Sequence, residues 1–197
     1  MSTGRKAQQS ESTRAELVAV ARRLFAERGF AATPTEELVR EAGMTRGALY
    51  HHFKDKRALF EAVFEDVEQS LMAQIGAAAD PNANAWERLL GACDTFLDSC
   101  LERDVQQIVL VDGPSVLNWD RWREIEERYA LGAVEAMLQA SIDAGFLRAQ
   151  PVAPLAHLVL AAVNEAGLVI AKSADVRAAR EQVGASLRGL LEGLRQP

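Results

Sequence analysis

Cysteine is scarce in this sequence: Cys93 and Cys100 are the only two. A disulfide-stapled scaffold is therefore excluded. Both fall in one expected helix, where seven residues at ~1.5 Å rise leave them roughly 10 Å apart, beyond disulfide reach. They read as reduced core thiols, as expected of a cytoplasmic chain. A secretory leader is also missing, because the opening MSTGRKAQQSES is polar throughout. No long apolar run is free of polar residues. The most apolar stretch, Val152–Ala171, holds Pro154, His157, Asn164 and Glu165. It reads as a buried helix, not a membrane span. Histidine is rare too, and the adjacent pair His51-His52 points about 100° apart on a helix, which argues against a metal site. There is no HExxH, no Glu-x-x-His pair, no phosphate loop and no GxSxG. No catalytic residue, metal or cofactor is expected. Alternating strand patterns and internal repeats are absent as well.

What is present is the balance of a folded chain: 197 residues, 49% apolar and 25% charged, enough for one large core or two modest ones. The formal net charge of −6 is unevenly distributed. Residues 1–60 carry 11 Lys/Arg and 7 Asp/Glu, a net +4, whereas the remaining 137 residues carry −10. A basic head on an acidic body suggests that the head meets a polyanion.

The periodicity is helical almost throughout and predicts an all-α chain of about nine helices. Thr13-x-x-Glu16 reads as a capping box opening a first helix, with Leu17, Val20, Ala21, Leu24 and Phe25 on one face and Gly29 at its end. Thr33-Pro34-Thr35-Glu36 reads as a second box, opening a short helix that Gly43 closes. Thr45 caps another short helix, about Arg46 to Phe53. A long helix is predicted from Lys56 to Ala78. Asn84-x-x-Glu87 opens the next, running to about Leu101. A shorter one from Asp104 to Val111 is expected to end at Asp112-Gly113-Pro114. Asn118 caps a long helix stopping at Gly145. Pro151 and Pro154 open the apolar helix, and Asp175 caps the last. The chain divides near residue 55, into 1–55 (with 1–11 as a flexible tail) and 56–197.

The informative segment is Thr33 to Phe53. Two short helices joined by a glycine-containing turn fit a helix-turn-helix. The second is too short to stand alone, and Leu49 and Phe53, four apart, can pin it to its neighbours. Arg46, Gly47, Tyr50, His51 and Lys54 are left on or near the other side. Such a helix can enter a major groove N-terminus first.

The sequence here resembles the DNA-binding domain of TetR/AcrR-type transcriptional regulators. Phe25-x-x-x-Gly29-Phe30, Ala42-Gly43-Met44-Thr45, Leu49-Tyr50-His51-His52-Phe53 and Lys54-x-Lys56-x-x-Leu59-Phe60 carry the likeness over about residues 12–60. Thr35 and Val39 depart mildly from the pattern, away from the reading face. The resemblance implies double-stranded DNA as partner. Thr33 and Thr45 would cap helices whose N-termini receive phosphate. Arg46 would read guanine O6 and N7. Gly47 and Ala48 would let the backbone approach the bases, and Tyr50, His51 and Lys54 would contact phosphates. Arg5 and Lys6 would add phosphate or minor-groove contacts. The plainer alternatives are a solvated Arg46 and a core Tyr50.

For the acidic body the resemblance implies a dimerisation and ligand-sensing bundle, with an unknown small-molecule effector, a palindromic operator and no membrane. The last two helices are the expected homodimer interface, through Leu155, Leu158, Val159 and Ala162 on one and Val183, Leu187, Leu190, Leu191 and Leu194 on the other. The alternative is that these stripes face only the chain's own core. Phe96, Trp122, Tyr129, His157 and Asn164 are candidate ligand contacts. The alternative for each is a role in core packing or the satisfaction of buried polar groups.

Overall fold

The computed structural model describes residues 2–195, with side chains from residue 7. Among these residues the chain forms nine helical rods and no strand beyond one isolated bridge between Leu147 and Arg195. The rods are α1 (Ser2–Arg28), α2 (Thr35–Glu41), α3 (Arg46–His52), α4 (Lys56–Ala78), α5 (Ala85–Ser99), α6 (Val105–Leu117), α7 (residues 119–143), α8 (Val152–Ala171) and α9 (Val176–Glu192).

Most caps follow from the sequence. Asn84 accepts the Glu87 N–H while the Glu87 carboxylate accepts the Asn84 N–H, completing a capping box on α5. Asp55, Asp175 and Asn118 cap α4, α9 and α7 through the amides of Ala58, Ala178 and Arg121. Gly43 has φ +63 and lets the Met44 N–H reach back to the Val39 carbonyl at 2.8 Å, ending α2.

Three expectations need correction. The first helix does not begin at Thr13: α1 starts at Ser2, so residues 2–11, expected as tail, are helical. The Thr13 hydroxyl donates to the Gln9 carbonyl instead, a bond available only inside a helix. The Thr33 box is not formed either. Helix α2 starts at Thr35, with Pro34 in the cap position and no side-chain cap. Third, Asp112-Gly113-Pro114 does not stop α6. Residues Val105–Asp112 form wide π-type turns that run on into an α-helical turn, Gly113–Leu117. Pro114 falls in the first α turn, where its missing N–H costs little. Gly113 is required there by packing. A Cβ would lie 2.8 Å from Phe64 Cε2 and 3.0 Å from Trp122 Cδ1. A second wide stretch, Glu127–Leu131, interrupts α7 between its α-helical parts Trp119–Glu126 and Gly132–Asp143.

Burial is continuous. Leu17, Ala21, Leu24 and Phe25 of α1 and Leu49 and Phe53 at α3 join the same core as Phe60, Phe64 and Leu71 of α4 and the buried faces of α5 to α9. Phe25, Phe30 and Phe60 pack with ring centroids 5.3–5.7 Å apart at the junction. Helix α4 therefore belongs to both halves, and no gap in packing marks residue 55. Helix α8 is long and apolar enough to cross a membrane by length and composition, yet half of its most apolar window is buried within the chain.

Candidate functional site

The outer face of α3 is built on its buried one. Leu49 and Phe53 are buried, and the Arg14 guanidinium lies 5.1 Å from the Phe53 ring centre, so the short helix is clamped from behind. That turns Thr45, Arg46, Gly47, Tyr50, His51 and Lys54 outward, with Ala48 half-buried beside them. Thr45 Oγ1 accepts the Ala48 N–H at 3.2 Å, as a cap should. Nothing crowds Gly47, leaving bare backbone at the start of the helix. Arg46 is exposed but engaged: it donates to Glu36 at 2.9 Å and lies 5.7 Å from the Tyr50 ring centre. Its neighbours Tyr50 and Glu36 raise its pKa further, so it is a permanent cation.

Thr33 does not join this face. It is fully buried, and its hydroxyl donates to the Gly29 carbonyl at 2.8 Å. It closes the α1–α2 corner and offers nothing to a phosphate. The Arg5 and Lys6 side chains lie outside the described residues. Lys56, to which the sequence assigned no role beyond opening α4, donates to the Phe30 and Thr33 carbonyls at 2.8 and 2.9 Å. Burial lowers its pKa, against the pull of Asp112.

Several polar ties bind this head to the body. Arg22 of α1 pairs with Asp66 of α4 at 2.8 Å and with Asp104, which caps α6. The Asp112 carboxylate accepts the Phe30 N–H at 2.7 Å. Arg57 donates to the Leu117 carbonyl at 2.7 Å. Partly buried, geometrically specific ties of this kind resist independent movement of the two halves.

The body holds an apolar cavity of about 80 Å³ between α4, α5, α7 and α8, which partly opens to solvent. That is less than the roughly 300–1,000 Å³ of small-molecule sites, so a ligand must spread the walls or extend through the open side. Phe96 and Asn164 line it, as the sequence reading proposed, and so do Glu68 and Glu126, which it missed. Asn164 donates to Glu126 at 2.8 Å. Glu68 is 3% exposed and makes no hydrogen bond or ion pair among the described residues. Burial pushes the Glu68 carboxyl up to about 7. Burial first, then the Glu68 charge, push Glu126 up to about 9. The signal was present: Glu68 sits four residues after Phe64 and three before Leu71, inside the apolar stripe of α4.

Trp122, Tyr129 and His157 are not among the cavity's lining residues. Trp122 is buried against Gly113, with its indole N–H on the Val109 carbonyl at 3.3 Å. The Tyr129 hydroxyl accepts from Gln69 at 3.0 Å. His157 lies 3.4 Å from Glu127 and is partly exposed. It shares a helix face with Asn164, but two turns place them about 10 Å apart along the axis, at different depths.

The apolar stripe of α8 and α9 divides. Leu155, Val159, Leu187 and Leu191 are buried within the chain, so the core reading holds for them. Ala162, Val183 and Leu194 are half-buried. Leu158 and Leu190 point out, 69% and 61% exposed, together with Val169.

Comparison with known proteins agrees with this architecture. Residues 17–63 match the family model for bacterial regulatory proteins of the tetR family, and residues 86–194 match that of the tetracyclin repressor-like C-terminal domain. The chain is 30% identical to the Transposon Tn10 TetC protein of Escherichia coli over 139 residues, 71% of this chain and 70% of that protein. It is 32% identical to the HTH-type transcriptional repressor KstR2 of Mycobacterium tuberculosis over 125 residues, 63% of this chain and 62% of the relative. A crystal structure of a TetR-family transcriptional regulator from Pectobacterium atrosepticum matches with a TM-score of 0.85 at 34% identity, covering 96% of this chain and 97% of that one. With its outward-facing α3 on an all-helical body, the chain belongs to the TetR family of bacterial transcriptional regulators and carries their DNA-binding domain at its N-terminal end.

Proposed function

We propose that this regulator is a cytoplasmic homodimeric repressor that binds a palindromic operator and is released by a small molecule held in the body cavity. No catalytic step is assigned to it. The observation that carries the reading is the pairing of an outward-facing, cationic α3 with an apolar, partly open cavity reached by the long helix behind it, α4. Helix α4 lines the cavity at Glu68 and Leu71 and enters the head at Lys56. Twelve residues separate Lys56 from Glu68, about 18 Å of rigid rod. A shift at the cavity end is thus transmitted to the head through α4 and the ties at Arg22, Asp112 and Arg57.

One short reading helix buries too little surface to select a site, whereas two related by a two-fold axis read half-sites about 34 Å apart. Leu158 and Leu190 supply an exposed apolar patch on α8 and α9 for that pairing. A ligand that prefers the DNA-incompetent spacing of the heads shifts the population away from DNA. Full reversal from 1:99 to 99:1 requires about a 10⁴-fold preference. A body controlled by a protein partner, or an activator, is the second reading; the cavity with its unpartnered carboxyl favours the small molecule.

The test is selection of genomic fragments bound by the purified protein near physiological salt, where nonspecific phosphate binding is weak. An enriched inverted repeat is the expected result. Enrichment of single, unpaired half-sites would refute the dimeric reader.

A further inference from the structure

Buried carboxyls in proteins are nearly always matched by a cation, a metal or a full set of hydrogen bonds, because an isolated ionised group costs far more than any packing returns. The cavity between α4, α5, α7 and α8 breaks this pattern. Two carboxyls, Glu68 of α4 and Glu126 of α7, line it, close enough for the charge of one to act on the other. Asn164 serves Glu126 with one hydrogen bond, and Glu68 has none among the described residues. No Lys or Arg lines the space. Arg123 influences Glu126 from the same helix but pairs with Glu127 at 3.4 Å. His157 also turns to Glu127. The remaining walls are aliphatic, thioether and aromatic, including Leu71, Met72, Phe96 and Val163.

We infer that the effector is an organic cation, a protonated or quaternary ammonium on an apolar body, whose charge sits between Glu68 and Glu126. This deepens the effector reading proposed above and rests on it. The apolar walls match the body of such a molecule, and its charge provides the counter-ion that the protein withholds. Anionic ligands such as carboxylates would add a third acidic group to a cavity without a cation. At neutral pH Glu126, pushed up to about 9, is protonated, and Glu68, pushed up to about 7, is about half protonated. Binding the cation therefore expels a proton. The other groups facing the pair are Arg123 and Glu127 from α7, Cys93 from α5, whose thiol burial pushes up to about 12, and from α8 only the neutral Asn164.

The experiment is calorimetric titration of the full chain with three probes: benzyltrimethylammonium, its uncharged isostere neopentylbenzene, and the anion 4-phenylbutyrate. At pH 8 the cation should bind at least about tenfold more tightly than the isostere, equivalent to 1.4 kcal/mol, and the anion should not bind. Cation affinity should fall about tenfold per pH unit below the ionisation of the first carboxyl, with a proton released per cation bound, while isostere affinity stays flat. Glu68→Gln and Glu126→Gln should each reduce the cation-to-isostere ratio, and together bring it close to one. Circular dichroism melts of these variants verify that they remain folded. Where the double variant does not fold, the proton release of the wild type decides. Equal or tighter binding of the isostere, binding of the anion, or no binding by any probe would overturn the inference. Effect on DNA is scored separately. Cation binding without change in operator affinity would leave the ligand class standing and refute effector release. Release by a neutral or anionic molecule would do the reverse.

Discussion

Gly113→Ala tests how tightly α6 packs against α4 and α7. The new methyl carbon would lie 2.8 Å from Phe64 Cε2, 3.0 Å from Trp122 Cδ1 and 3.1 Å from the Ile108 carbonyl oxygen. Carbon pairs rest at about 3.5–4.0 Å, so the nearest contact is short by about 0.7 Å. Neither ring can swing away, because both are buried, and the third neighbour is backbone. Overpacking of this kind costs about 1–3 kcal/mol. The backbone at Gly113 is already helical, φ −48, so no strain is added. Alanine's better helix propensity returns up to about 1 kcal/mol. A net loss of about 1–2 kcal/mol corresponds to a Tm lower by about 2–8 °C for a chain this long. Gly91→Ala is the control. Gly91 lies in the middle of α5, exposed, with nothing within 4 Å of its added carbon. It should gain from propensity alone and raise Tm by about 2–4 °C. Thermal melts of both variants at one protein concentration, since association contributes to stability, make the comparison. A Gly113→Ala protein that melts at or above the wild type would refute the packing argument.

The remaining predictions concern DNA, assembly and pH. Arg46→Ala should weaken operator binding roughly ten- to a hundredfold and relax selectivity at one base pair per half-site, whereas Lys54→Ala should weaken all sequences alike and reduce the salt slope by about one; fluorescence anisotropy over a salt series separates the two. Leu158→Glu combined with Leu190→Glu should give a folded monomer by sedimentation, while Leu187→Glu, buried within the chain, should unfold it. The raised pKa values of Glu68 and Glu126 mean that the folded chain holds protons which the unfolded chain gives up above about 4.5. Their contribution to stability is complete below that pH and is lost as pH rises toward about 9. Melts from pH 5 to 9 should show a decline that Glu126→Gln flattens; an unchanged slope in the variant would contradict the assignment.

Much of the fold was legible because helix ends carry local chemistry. The bounds of α4 and the caps at Thr45, Asn84, Asn118 and Asp175 coincide with residues whose side chains accept the amide three positions on. The same locality explains the failures. Thr13-x-x-Glu16 reads identically whether it opens a helix or lies within one. Thr33 is diverted by the Gly29 carbonyl, which the sequence does not place beside it. At Asp112-Gly113-Pro114, wide turns accommodate what a regular helix would not. Periodicity identified the stripes on α8 and α9 but not their partners, so buried Leu187 and exposed Leu190 looked alike. On the outward face of α3, the exposed residues were readable from the pinning pair Leu49 and Phe53. Of the cavity's lining, Phe96 and Asn164 were among the candidates, whereas Glu68, a carboxyl inside the apolar stripe of α4, was not.

The single core running through α4 also bears on how such a protein can be recombined. A chimaera cut at residue 55 would separate Phe60 from the rings of Phe25 and Phe30, exposing apolar surface on both fragments. A graft that moves the reading head to another body must bring α4 with it and cross over in the break before Ala85, where Asp80, Pro81 and Asn82 interrupt the helices. It must also transplant the surface of α6 that receives Phe30 and Arg57. The unit of exchange in this protein is a head with its seat.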